Sequence, residues 1–107
     1  MNSVFRQFSI PLEELALDCR SVSERINRVL SRNSLRIAGG GKAGNRLLVF
    51  CESARGGDWC RIAPFEGFSE EEILSEVRRR FDASFATAAV WEASGRMWGI
   101  FVREAVR

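Results

Sequence analysis

The sequence predicts an α+β fold: a mainly antiparallel sheet with two helices on one face, formed by two β-α-β-β units in tandem. Three observations carry this. Residues 12–32 and 70–81 place apolar side chains at helical spacings of three and four. A strand-like run precedes each of these stretches, and two more follow it. The closing stretch Phe85–Glu104 reads as a β-hairpin turning at Ser94-Gly95, and it is apolar on both faces. A sheet with one wet face alternates apolar and polar residues, so each face of this hairpin needs a cover.

Residues 3–9 read as a short strand. Pro11 suits the first turn of a helix, where a missing N–H costs nothing. Leu12, Leu15, Cys19, Val22, Ile26 and Val29 form the helix's apolar stripe. Glu13 and Glu14 at its start and Arg28 and Arg32 near its end complement the helix dipole, and Glu24 and Arg28 are spaced as an i,i+4 pair. Leu35–Ala38 is a short strand, and residues 39–45, opening with three glycines, read as a flexible connector. Arg46–Ser53 is a stronger strand. Arg55-Gly56-Gly57-Asp58 turns the chain into a strand over Trp59–Phe65. Ser69 with Glu72 is a capping box. The helix it opens is expected to bury Ile73, Leu74, Val77 and Phe81, and it ends in Arg78-Arg79-Arg80. In the final hairpin a two-residue loop sets Trp91 opposite Trp98, Ala89 opposite Ile100 and Thr87 opposite Val102.

The 107 residues suit one domain with pseudo-halves 1–54 and 58–107. No apolar run is long enough to span a membrane, and the N-terminus lacks the pattern of a secretory leader. The expected location is cytoplasmic, with no membrane partner. Net charge is +2, and of sixteen basic residues only Lys42 is lysine. Arginine binds phosphate and carboxylate bidentately, but these arginines are scattered along the chain.

The chain has no histidine, which removes every Ser-His-Asp or Cys-His arrangement. Cys19, Cys51 and Cys60 have no zinc-ligand spacing, and three cysteines do not complete a structural zinc site. No metal and no cofactor is expected. Glu92 and Glu104 on the final hairpin are the carboxylates placed to face a cavity, but no residue is nominated as catalytic. The glycine-rich stretch lacks the Ser or Thr after Lys42 that a P-loop requires, and it leads into a strand. If the turn centres on Arg55-Gly56, Cys51 and Cys60 become cross-strand neighbours, a candidate redox pair.

Arg61-Ile62-Ala63, the Ser69 helix and the strand Arg96-Met97-Trp98-Gly99-Ile100-Phe101-Val102 together resemble part of an RNA recognition motif. Arg96, Trp98 and Gly99 stand at matching positions of its last-strand pattern; Met97, Phe101 and Arg103 depart from it. The resemblance implies single-stranded RNA stacked on Trp98 and paired with Arg96 on an exposed sheet face. The competing reading makes Trp91 and Trp98 a buried cross-strand pair in a core or interface. The tandem topology is also similar to bacterial effector-binding domains made of two β-α-β-β units, which implies a pocket for a small apolar or aromatic molecule.

The favoured reading is a non-enzymatic binding or assembly module. It homodimerises through sheet or hairpin surfaces, and a small ligand or protein partner is a further expectation. Trp59, Arg61, Trp91, Arg96, Trp98 and Phe101 are the binding or interface residues. RNA binding is the alternative, and thiol redox chemistry at Cys51 and Cys60 the third.

Overall fold

A computed structural model describes residues 5–104; residues 1–4 and 105–107, which include Ser3 and Val4 of the expected first strand, lie outside the description. The order is β1 (Phe5–Pro11), α1 (Leu12–Asn33), β2 (Leu35–Ala43), β3 (Arg46–Ser53), β4 (Asp58–Pro64), α2 (Glu70–Asp82), β5 (Ala86–Ala93) and β6 (Arg96–Glu104). The strands form two antiparallel three-stranded sheets, ordered β1-β3-β2 and β4-β6-β5. Both units therefore have the same topology, each with its last strand in the centre.

Pro11 is the N-cap of α1 rather than its first helical residue, and it offers no capping side chain. The turn carbonyl of Asn45 takes the first helical N–H instead, from Leu12 at 2.9 Å. At Asp18 the backbone leaves the helix (φ −157, ψ 74), and its carboxylate accepts from Ser21 N–H as a second N-cap. Leu17, on the face opposite the stripe, is 87 % exposed, while Leu15, Val22, Ile26 and Leu30 stay buried. Glu24 pairs with Arg20 in place of the expected Arg28.

The glycine stretch is not a connector. After a register shift at Ala38, β2 continues through Gly39, Gly40 and Gly41, and the hairpin turns at Gly44-Asn45. A Cβ on Gly40 would lie 2.7 Å from the Leu48 carbonyl oxygen and 3.4 Å from Ile100 Cδ1, so only glycine fits where β2 passes under the second sheet. Lys42 Nζ donates to the Glu92 carbonyl at 2.8 Å, a second tie between the units.

The ends of α2 match the sequence expectation. Ser69 accepts from Glu72 N–H while the Glu72 carboxylate accepts from Ser69 N–H, and these bonds hold the Glu72 carboxyl below its ordinary value. In the final hairpin Ser94 (φ 54) and Gly95 (φ 71) form the expected two-residue turn, and Trp91 and Ala89 face Trp98 and Ile100. A bulge then shifts the register. Thr87 faces Phe101, and Ala86 takes the place opposite Val102.

Each helix covers the same face of its own sheet. The stripe of α1 packs on Leu47, Val49 and Cys51, whereas α2 lies over Phe65 and Phe101. The opposite face of the second sheet, bearing Ile62, Trp91, Trp98 and Ile100, joins the α1 core. That explains the two-sided hairpin: one face packs under its own helix, the other against the first unit.

Candidate functional site

Of the nominated residues, Trp91 and Trp98 are 5 % and 6 % exposed in the chain's own core. The Trp98 indole N–H donates to the Ala93 carbonyl at 3.0 Å, while Trp91 Nε1 has no partner among the described residues. A base cannot stack on Trp98, and its strand lies in a three-stranded sheet whose Trp98 face is covered. The exposed RNA platform expected at Trp98 and Arg96 is therefore absent, and the hairpin face expected to dimerise is occupied internally.

Phe101 is likewise fully buried. Phe65 meets it edge-on at 5.5 Å, and the Arg80 guanidinium lies 3.9 Å from its ring centroid. Glu76, 6 % exposed, accepts from Arg80 Nε at 3.2 Å and from Glu66 N–H at 3.4 Å. Arg96 is exposed and, among the described residues, donates to the Phe65 carbonyl at 3.4 Å. These contacts serve packing.

Cys51 and Cys60 are not hairpin partners. β3 pairs with β1 and β2, whereas β4 pairs with β6, so the thiols belong to different sheets. Both are fully buried and free. Burial, reinforced by the Asp58 charge, pushes Cys51 up to about 11; burial and the neighbouring Cys51 and Asp58 push Cys60 up to about 12. Thiolate formation is disfavoured at both.

Trp59 and Arg61 have a different setting. They project from the outer face of β4, next to Arg103 on β6. Trp59 and Phe85 lie 5.7 Å apart at 58°. The Arg61 guanidinium sits 5.5 Å from the Trp59 centroid and 5.9 Å from that of Phe85; for Arg103 the distances are 5.5 and 5.1 Å. Two cations thus share two rings, and among the described residues neither pairs with a carboxylate. Arg103 and Phe85 were missed in the sequence, because residues 59, 85 and 103 meet only through the β4–β6 pairing and the turn after α2.

A groove of about 420 Å³ opens beside this cluster, between α1 and the edge of β4. Cys19, Ser23 and Asn27 form its helix wall, Trp59, Arg61 and Ala63 its strand wall. Along this wall α1 completes the strand edge. Asn27 accepts from Cys60 N–H at 2.6 Å and donates to the Cys60 carbonyl at 3.0 Å, and Ser23 Oγ accepts from Ile62 N–H at 2.9 Å. Arg20 and Glu24 stand at the rim.

Glu92 lies exposed rather than in a cavity, and nothing is described of the Glu104 side chain. Among the described residues no three of Cys, Asp and Glu gather as a metal-binding group, and no helix is long and apolar enough to cross a membrane. No family model, curated protein or solved structure matches this chain.

Proposed function

We propose that this chain is a non-enzymatic binding module whose ligand is a small anion with an aromatic or apolar body, held in the groove between α1 and β4. The observation that carries this is the pair of guanidiniums, Arg61 and Arg103, set over Trp59 and Phe85 and unpaired with any carboxylate among the described residues, with Trp59 and Arg61 lining the groove. Two like charges on one aromatic floor repel each other, and a bound anion relieves that repulsion while accepting charge-assisted hydrogen bonds. Trp59, 38 % exposed, offers a ring face for the planar part of the ligand. The apolar wall at Ile62 and Ala63 receives the body, and Ser23 and Asn27 are already engaged in holding the wall.

The test is a titration with adenosine monophosphate and with an indole carboxylate, followed by the fluorescence of Trp59. A saturable change is expected for at least one of them, and the Arg61→Ala/Arg103→Ala protein should bind at least about tenfold more weakly. Absence of binding by both probes at millimolar concentration, or equal binding by the double variant, would overturn the reading.

A further inference from the structure

Only half of the expected apolar stripe of α2 turns inward. Ile73, Glu76, Val77 and Arg80 turn toward the sheet, yet Leu74 and Phe81 remain 57 % and 66 % exposed. Glu71, Leu74, Arg78 and Phe81 follow spacings of three, four and three, so they share one helix face about a third of a turn from the buried one. Phe68, directly before the N-cap, is 53 % exposed. Together these are three of the most exposed large apolar side chains among the described residues, gathered on α2 and the residue before its N-cap.

We infer that this face binds a second copy of the chain through an antiparallel α2–α2 contact about a two-fold axis. Charge selects the occupant. The helix opens with Glu70, Glu71 and Glu72 and closes with Arg78, Arg79 and Arg80. An antiparallel copy sets each acidic start against a basic end; a parallel copy sets like against like. Glu71 and Arg78 lie on the exposed stripe, and among the described residues neither takes part in an ion pair. Arg80, in contrast, is held inward by Glu76 and Phe101.

The spacing closes the interface. An axis through the bond between Leu74 and Ser75 sets Glu71 against the partner's Arg78, and Arg78 against the partner's Glu71. The same axis brings Phe81 to the partner's Phe68 and packs the two Leu74 side chains beside each other at the centre. One patch thereby complements itself, as an isologous interface requires. The contact is a single helix pair of about four turns, which places it at the small end of specific interfaces and makes it concentration-dependent. None of its residues lines the α1–β4 groove.

Sedimentation velocity on the full chain, from micromolar to millimolar concentration, tests this. The wild type should shift from monomer to dimer. Glu71→Arg sets arginine against arginine, and Arg78→Glu sets glutamate against glutamate, so each single variant should dimerise at least about tenfold more weakly. An equimolar mixture of the two variants restores both opposite-charge pairs and should again form a dimer. Circular dichroism checks that these surface variants are folded. A wild type that stays monomeric throughout, a dimer indifferent to both reversals, or a mixture no more associated than its components would each overturn the inference.

Discussion

Asn27 and Cys60 are thirty-three positions apart, and the Asn27 carboxamide makes both hydrogen bonds of the Cys60 backbone. A helix side chain thus does the work of a neighbouring strand at the one edge of β4 that β6 does not cover. Ser23, one turn earlier, repeats this at Ile62. These three bonds dock α1 on the second unit and set the width of the groove.

Asn27→Ala should therefore destabilise the fold by about 1–3 kcal/mol, because it leaves a buried N–H and carbonyl without partners. Asn27→Asp keeps the acceptor and loses the donor, so it should fall between the two. Urea denaturation of the three proteins measures this, and an alanine variant as stable as wild type would remove Asn27 from that role.

Gly57 takes φ +73, and a Cβ there would lie 2.6 Å from the Leu30 carbonyl oxygen. Gly44, at φ +61, faces open space. Gly44→Ala should cost only about 1 kcal/mol, the conformational part. Gly57→Ala should cost distinctly more, about 2–4 kcal/mol, since backbone must also move. Thermal unfolding of both variants checks the order.

Native thiol titration at pH 8 should find Cys19 reactive and Cys51 and Cys60 protected, with all three reacting in denaturant. The same burial has an alkaline consequence. Both buried thiols titrate above their ordinary 9.0 in the folded protein, near 11 and 12. Between those limits the unfolded chain has released protons that the folded chain retains, so stability is intact below pH 9 and falls as pH rises toward 12. Cys51→Ala/Cys60→Ala, compared by urea melts at pH 8 and pH 10.5, should lose less stability over that interval than wild type; an equal loss would assign the alkaline effect to other groups.

Glu76→Ala should destabilise by about 1–3 kcal/mol, because Glu76 is buried and orients Arg80 over Phe101. Arg79, whose side chain is 69 % exposed, pairs with the same carboxylate at 3.6 Å, and Arg79→Ala should change stability little. A double-mutant cycle on Glu76 and Arg80 separates the pair from the packing. A coupling near zero would leave Phe101 held by shape alone.

The hairpin was legible because its signal is local: Ser94-Gly95 specifies the turn, and the turn specifies that Trp91 meets Trp98. The bulge beside Ala88 was not, because no residue type there announces it. The α2 stripe shows the limit of periodicity. Val22 and Leu74 read alike in sequence, yet Val22 is 2 % exposed and Leu74 57 %. Helical spacing states that a stripe exists; it does not state what lies against it.

By itself the sequence determined the order of elements, the two helices, the Ser69 capping box and the final turn. All of these depend on backbone dihedrals and on side chains within about one helical turn of each other. Tertiary structure decided which strands pair, that the strands divide into two sheets, and that Cys51 and Cys60 come from different sheets rather than one hairpin. It also brought Arg103 and Phe85 to Trp59 and Arg61, and left Leu74 and Phe81 outside. Strand pairing is non-local: an apolar strand finds a suitable partner in any other, and the choice falls to the arrangement that buries the most surface with every backbone edge satisfied. Here that arrangement recruited Asn27 and Ser23 to the open edge of β4 and set Arg61 beside the groove, with Arg103 sharing its aromatic rings.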